Sequence, residues 1–187
     1  MQDSIKQVLL KLEKTSEKFW NIPHESGNLL NLIIKASGYK DILEIGTSNG
    51  YSTIWLAEAA RKNSGHVTGI EFYQERIDLA LNNFKESGLS DYITVRQGKA
   101  LDIIGTMESE FDFIFIDANK SEYIKYFELL HPKLRNRGLI VADNVTSHKK
   151  DVQDFLDLIK EHPDYQTSYL PYGGGLLLGL KIKCKVL

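Results

Sequence analysis

The chain has 187 residues, 42% of them hydrophobic and 26% charged, which predicts one soluble domain with a sizeable core. Its formal net charge of −2 argues against a nucleic-acid-binding surface, and no apolar stretch approaches the roughly 20 residues of a membrane span. The single cysteine, Cys184, excludes an internal disulfide, and with no apolar leader at the start it favours a cytoplasmic protein.

The first 37 residues carry two helical patterns. Residues 4 to 20 are amphipathic, and their nearly balanced charges favour a helix packed on its own domain or on a twin subunit over a membrane-surface helix. A second helix is predicted over residues 25 to 37, with Gly38 as its C-cap. The apolar positions of the first helix are Ile5, Val8, Leu9, Leu12, Phe19 and Trp20.

Beyond Gly38, β-rich runs alternate with helical patterns. The strand-like runs are residues 41 to 46, 66 to 71, 92 to 98, 111 to 117 and 138 to 143. The helical patterns are residues 51 to 62, 74 to 87, 121 to 131 and 149 to 161. This alternation predicts a parallel sheet with helices on both faces. Two further runs, residues 165 to 170 and 176 to 183, flank Pro171 to Gly175 and predict a hairpin that closes one edge.

The segment GTSNGYS, residues 46 to 52, follows the first strand and predicts a tight turn into a helix. It lacks the dinucleotide fingerprint, because Ser48 and Tyr51 occupy the second and third glycine positions. A nucleoside ligand without a pyrophosphate therefore fits this turn better. Glu71 ends the second strand at a spacing suited to a ribose diol, although an acid there can also cap the next helix. Glu44, inside an apolar strand, needs compensation, which an amine-bearing ligand would supply.

Three oxygen-bearing side chains follow the fourth and fifth strands. Asp117 ends FDFIFID, and Asp143 and Asn144 end GLIVADN, so neighbouring strands would bring them to one edge of the sheet. Such ligands suit Mg²⁺, and Lys120 would lie beside the cation as a candidate base. Taken singly, each residue is also compatible with a cap, a turn or a solvated surface position.

The motifs LEIGTSNGYSTIWLA, GIE, FIFIDANKSEY and GLIVADNV together resemble the metal-dependent, S-adenosylmethionine-dependent O-methyltransferases related to catechol and caffeoyl-CoA O-methyltransferases. The resemblance runs from about residue 22 to residue 180. It implies a Rossmann-like class I methyltransferase fold, with a mostly parallel seven-stranded sheet, helices on both faces and an antiparallel C-terminal hairpin. We expect one domain over residues 1 to 187, in which residues 1 to 37 cover the active site and residues 38 to 187 form the core.

The resemblance also implies roles for individual residues. Lys120 matches the catalytic base. The metal ligands would be Asp117, Asp143 and Asn144. The residues that match cofactor-binding positions are Asn21, Ile22, Glu44, Gly46, Ser52, Glu71, Ala100, Asp117 and Ala118, with Lys99 beside the adenine edge.

The reaction expected from the resemblance is Mg²⁺-dependent methyl transfer to a hydroxyl of a small catechol-like aromatic diol, by a cytoplasmic and homodimeric enzyme without membrane or nucleic-acid partners. A hydroxylated nucleoside in RNA is a second candidate acceptor. Two different classes of function also stay open: a nicotinamide-dependent oxidoreductase, which the missing fingerprint glycines oppose, and a subunit that binds the cofactor without catalysis.

Three features depart from the family pattern. Asn119 replaces a second aspartate, Gly174 replaces an acid, and the segment 145 to 151 is short, as in the catechol enzymes. The acceptor therefore stays open. His148 and Trp20 could border it, although the sequence favours a surface histidine and a packing tryptophan.

Overall fold

The computed structural model describes residues 1–182, which form a seven-stranded sheet between two layers of helices. The strands are β1 (Asp41–Ile45), β2 (His66–Glu71), β3 (Ile93–Gln97), β4 (Phe111–Ile116), β5 (Leu134–Ala142), β6 (Tyr165–Leu170) and β7 (Leu176–Lys181). The α-helices are α1 (Asp3–Glu13), α2 (Ser16–Phe19), α3 (His24–Ser37), α4 (Tyr51–Lys62), α5 (Gln74–Ser87), α6 (Ala100–Thr106), α7 (Tyr123–Leu130) and α8 (Gln153–Glu161). Short 3-10 helices span Ser90–Tyr92, Lys120–Glu122 and His131–Lys133.

The strand order is β3-β2-β1-β4-β5-β7-β6. Strands β1 to β5 are parallel, and β7 pairs antiparallel with both of its neighbours, β5 and β6. The chain moves outward from β1 to β3 and then returns to place β4 on the other side of β1. The strand order therefore reverses between β1 and β4, and open α/β sheets bind their ligands outside the strand ends at such a point. The predicted parallel strands and closing hairpin are confirmed.

The central strands are buried on both faces, which explains why FDFIFI is almost continuously apolar. Phe113 and Phe115 pack under α1, α3, α4 and α5, whereas Ile114 and Ile116 pack under α6, α7 and α8. Burying one such side chain stabilises the fold by about 1.5–3 kcal/mol. This rigid sheet fixes the positions at which β1, β4 and β5 deliver the polar residues that follow them.

The N-terminal segment differs from the single predicted helix. Ile5, Val8, Leu9 and Leu12 are buried in the core of this chain, as expected for packing on its own domain. The helix ends at Glu13, and Trp20 adopts a left-handed conformation with φ of 53° after the short α2. Trp20 is consequently 75% exposed, so the packing interpretation of this tryptophan is wrong.

Other differences arise where burial is slight or the backbone bends. Helix α6 was not predicted, since only Ile104 of its seven residues is buried. Strand β5 begins at Leu134, ahead of residue 138, and accommodates Arg137 at φ of 66°. Helix α8 begins at Gln153 because residues 144 to 152 form a series of turns. No helix within residues 1–182 is long and apolar enough to span a membrane. Cys184 and the last residues of the predicted final strand lie outside the described part.

Candidate active site

A cavity of about 880 Å³ opens at the carboxyl ends of β1, β2, β4 and β5, where the strand order reverses. The segment from Phe19 to Ile22 borders it on one side. Two predicted site residues, Glu44 and Asp143, are buried behind its surface. Those that line it are Asn21, Ile22, Gly46, Ser52, Glu71, Ala100, Asp117, Ala118, Lys120 and Asn144.

The loop after β1 depends on glycine at its first position. Gly46 has φ of 99°, and a Cβ atom there would lie 2.0 Å from the carbonyl oxygen of Asp117. No other residue type permits this approach of the two loops without displacement. The backbone N–H groups of Gly46 and Thr47 donate to the Ile70 carbonyl at 3.0 and 3.1 Å, which ties the loop to β2. The turn thus joins the end of β2 to the loop that carries Asp117.

Glu71 is buried at the cavity wall, and its carboxylate organises the loops around it. One oxygen accepts the Ser48 N–H at 2.8 Å, and the other accepts the N–H groups of Phe72 and Tyr73 at 2.9 and 3.0 Å. These two N–H groups precede α5, which has no side-chain cap, so the alternative in which Glu71 caps this helix is wrong. The oxygen that accepts the Ser48 N–H has a further lone pair with which to accept from a ligand hydroxyl.

Glu44 is fully buried, and hydroxyl groups of this chain already compensate it. Ser52 Oγ donates to one carboxylate oxygen at 2.5 Å, and Thr53 Oγ1 donates to the other. Burial nevertheless raises the pKa of Glu44 to about 7, against the lowering effect of those hydroxyls. The expected need for an amine-bearing ligand is thus removed. Glu44 acts on the cavity through Ser52, which lines it.

Asp117 and Asp143 come from adjacent strands, as the sequence predicted. Ile116 pairs with Ala142, and the Asp143 N–H donates to the Ile116 carbonyl at 2.9 Å. Asp143 is only 3% exposed, and its Oδ1 has no hydrogen-bond partner among residues 1–182. Burial, reinforced by the charge of Asp117, raises the pKa of Asp143 to about 7, although the Asn144 N–H and Lys120 oppose this. An unpaired buried carboxylate oxygen beside a second carboxylate is an arrangement that a divalent cation satisfies.

Lys120 lies in the 3-10 helix that follows Asp117. Its Nζ donates to Asp117 Oδ1 at 2.7 Å, and the same ammonium lies 5.3 Å from the centre of the Tyr123 ring. Both side chains of the ion pair are less than one-fifth exposed, so solvent screens the pair only partly. The structure therefore places the predicted base, Asp117 and Asn144 in the lining of the cavity, with Asp143 buried behind it.

Tyr123 is a supporting residue that the sequence motifs did not single out for a role. Its hydroxyl is buried and lies 3.2 and 3.1 Å from the carbonyl oxygens of Ile116 and Asp143, so it joins the ends of β4 and β5. Burial raises the pKa of this hydroxyl well above its usual value, which keeps it a proton donor. The only signal in the sequence is its place in FIFIDANKSEY, three residues after Lys120.

The outer part of the cavity is lined by aromatic and polar side chains. Trp20 lies beside Arg76, whose guanidinium carbon is 5.6 Å from the indole ring. Further side chains that line this part are Phe19, Asn119, Glu122, Tyr126 and His148. His148 is exposed and also lines the cavity. Its Nδ1 lies 3.0 Å from Ser147 Oγ.

Gly174 and the short segment 145 to 151 form one unit. The Gly174 carbonyl accepts the N–H groups of Thr146 and Ser147 at 2.8 and 2.9 Å. A Cβ at position 174 would lie 2.5 Å from Asn144 Nδ2 and 2.6 Å from Ser147 Oγ. A larger residue at this position would therefore displace the side chains of Asn144 and Ser147, so glycine at 174 allows the hairpin to lie against Asn144.

Comparisons with known proteins agree with this architecture. A family model described as "O-methyltransferase" matches residues 2–182. A catechol O-methyltransferase of Niastella koreensis is 40% identical over 129 residues, which span 67% of this chain but only 58% of that protein. A caffeoyl-CoA O-methyltransferase of Eucalyptus gunnii is 29% identical over 200 residues, covering 93% of this chain and 80% of that enzyme.

Solved structures extend the similarity to the fold. An O-methyltransferase of Bacillus cereus in complex with SAH (S-adenosylhomocysteine) has a TM-score of 0.83 at 27% identity, covering 97% of this chain and 91% of that one. The O-methyltransferase TomG of Streptomyces achromogenes, in complex with SAM (S-adenosylmethionine), has a TM-score of 0.85 at 25% identity with the same coverage. The predicted Rossmann-like class I fold is confirmed.

Proposed function

The chain belongs to the O-methyltransferase family and is an S-adenosylmethionine-dependent enzyme, and from this premise we propose that it methylates a small catechol-like acceptor in a Mg²⁺-dependent reaction. The observation that carries the proposal is the unpaired, buried Oδ1 of Asp143 beside Asp117 and Lys120. Burying an unpaired carboxylate costs folding free energy, and an enzyme that only held its two substrates in place would not need these acids.

The inner part of the cavity would hold the cofactor. Glu71 would accept a hydrogen bond from a ribose hydroxyl, because its carboxylate lines the cavity, is fixed by three backbone N–H groups and keeps one lone pair free. Gly46 and Ser52 would contact the methionine part, with Ser52 oriented by Glu44. The remaining contacts would come from Asn21, Ile22, Ala100, Asp117 and Ala118.

Asp117, Asp143 and Asn144 would hold the divalent cation. Their oxygen donors match the preference of Mg²⁺, and two carboxylates beside one amide leave coordination positions for the acceptor. When bound, Mg²⁺ would lower the pKa of an acceptor hydroxyl, and S-adenosylmethionine would supply the methyl group.

Lys120 would take the proton from the acceptor hydroxyl at its Nζ. Asp117 Oδ1, 2.7 Å away, would stabilise the ammonium that results and hold it near the reacting oxygen. Trp20 and Tyr126, which line the cavity, would bind the acceptor ring, and residues 19 to 22 would limit the access of water. Catalysis would then consist mainly of orientation and charge placement.

The names of the relatives support a phenolic acceptor, since they include catechol and caffeoyl-CoA enzymes. The net charge of −2 does not favour a hydroxylated nucleoside in RNA. We further propose a cytoplasmic homodimer. The apolar side chains of α1 do not support the dimer, because they are already buried within this chain. These side chains are Ile5, Val8, Leu9 and Leu12.

A screen of methyl acceptors tests the proposal. Catechols, flavonoids and hydroxylated nucleosides would each be incubated with labelled S-adenosylmethionine, with Mg²⁺ or with a chelator. We expect methylation of vicinal diols with Mg²⁺, its loss in chelator and its return when Mg²⁺ is added. Undiminished transfer in chelator would contradict the metal role, and methylation restricted to nucleosides would contradict the acceptor class.

A further inference from the structure

A second group of side chains that could bind a metal lies at the opposite ends of the strands from the cavity. His131 begins the 3-10 helix between α7 and β5, His162 follows α8, and Asp164 precedes β6. These positions adjoin the amino ends of the parallel strands, whereas the cavity lies at their carboxyl ends. The group therefore shares no residue with the proposed active site.

Three donor atoms converge at this place. One ring nitrogen from each histidine and one carboxylate oxygen of Asp164 all lie within 4.8 Å of one another. His131 Nε2 is 3.8 Å from Asp164 Oδ2, and the centres of the two imidazole rings are 4.6 Å apart. All three residues are partly buried.

His131 can present an acceptor at Nε2. Its Nδ1 lies 3.2 Å from the hydroxyl of Tyr165, to which an Nδ1–H can donate. In that tautomer the lone pair of Nε2 faces Asp164 Oδ2 at 3.8 Å, and a cation between these two acceptors would satisfy both. Histidines that bind metals commonly use their second nitrogen in this way.

Lys181 lies near the cluster but is not available to pair with the imidazoles. Its Nζ donates to the carbonyl oxygens of His131 and Leu134 at 2.6 and 2.8 Å. The two imidazoles are therefore left with Asp164 as their charged neighbour in the cluster.

We propose that His131, His162 and Asp164 form a second metal site, specific for a divalent transition metal such as Zn²⁺. Two nitrogens and one oxygen match the ligands of Zn²⁺, whereas Mg²⁺ and Ca²⁺ prefer oxygen alone. Zn²⁺ bonds of about 2.0–2.2 Å place ligand atoms roughly 3.3–3.6 Å apart, so the donors must approach by about 1 Å. On His162, metal binding at Nδ1 would replace the long 3.2 Å bond from the Asp164 N–H.

The proposed metal would stabilise the fold by joining the end of α7, the end of α8 and the start of β6. It is independent of the proposed methyl transfer, since none of its ligands lines the cavity. A fourth position would stay open to solvent because the three side chains are only partly buried.

Titration of the full chain with Zn²⁺ tests the site. Metal-free protein would be titrated by calorimetry in several millimolar Mg²⁺, which occupies the acids of the cavity. We expect one Zn²⁺ per chain, and a rise in Tm of about 5 °C or more at a hundredfold excess over Kd. Asp164→Asn and His162→Gln should each weaken binding tenfold or more. His66→Gln, which removes a histidine bonded to Thr94, should bind Zn²⁺ as the wild type does.

Two results would overturn the proposal: no stoichiometric binding by the wild type, or the same affinity in Asp164→Asn as in the wild type. Asp164→Asn preserves the size of the side chain, and its Tm without Zn²⁺ should match that of the wild type. If His162→Gln fails to fold, Asp164→Asn alone decides the question. Mg²⁺ dependence of methyl transfer is measured separately, so the failure of either proposal is recognisable.

Discussion

Asp143→Asn should stabilise the metal-free protein at alkaline pH, although it removes a proposed metal ligand. The carboxyl of Asp143 is buried, and its pKa is raised from 3.8 to about 7 by burial and by the charge of Asp117. A carboxyl with a raised pKa in the folded chain costs stability once the pH exceeds its value in the unfolded chain. This cost grows with pH until the folded pKa is passed. Asparagine occupies the same space without the charge.

The size of the effect follows from the two pKa values. The difference between 3.8 and about 7 corresponds to roughly 4 kcal/mol at pH well above 7. About 2–3 kcal/mol of this arises between pH 5 and pH 8, because the folded carboxyl is mostly neutral at pH 5. Glu44 also has a pKa of about 7, but it is present in both proteins and its contribution cancels in the comparison.

Urea unfolding in chelator at pH 5 and at pH 8 measures the effect. The stability difference between Asp143→Asn and the wild type should increase by about 2 kcal/mol over this range, in favour of the variant. With Mg²⁺ the order should reverse, since only the wild type gains from the cation. Asp154→Asn, an exposed aspartate, is the matched control and should show no such trend. A difference independent of pH would refute the electrostatic account of Asp143.

Three further substitutions test other parts of the account. Lys120→Ala should lose turnover by a factor of about 10² or more while it still binds S-adenosylhomocysteine, whereas the exposed Lys125→Ala should keep near-normal rates. Gly46→Ala should lose cofactor binding and about 2 kcal/mol or more of folding stability, since its Cβ would meet the Asp117 carbonyl. Gly105→Ala is the control, because a Cβ there meets no atom, and calorimetry should find neither loss. Glu71→Gln should weaken S-adenosylhomocysteine binding roughly tenfold or more. An unchanged Kd would mean that Glu71 only holds the surrounding loops and does not bind the cofactor.

Predicting the fold from the sequence succeeded where burial is heavy. FDFIFI and GLIVA are apolar enough to be strands covered on both faces, and the positions of their polar ends followed from parallel pairing. Helix α6 has a single fully buried residue and therefore carries little periodicity. The short α2 ends at a left-handed Trp20, a backbone conformation that the side-chain pattern does not encode.

The site was predictable to the extent that short motifs define it. Asp117, Lys120 and Asn144 meet in one cavity as the motifs indicated. The contact between Gly174 and Asn144 and the Tyr123 hydroxyl at two strand ends arise from tertiary packing, so no local pattern reveals them. The same is true of His131, His162 and Asp164, which converge only after the hairpin closes the sheet.

A crystal structure grown with Mn²⁺ and S-adenosylhomocysteine would test the central proposal most directly, because anomalous scattering locates both the metal and the sulfur. We expect a metal peak bounded by oxygens of Asp117, Asp143 and Asn144, with the sulfur in the same cavity and Lys120 Nζ beside the space between them. A cofactor bound in the cavity with no metal at the three side chains, or a metal there with the sulfur elsewhere, would contradict the proposed metal-assisted methyl transfer.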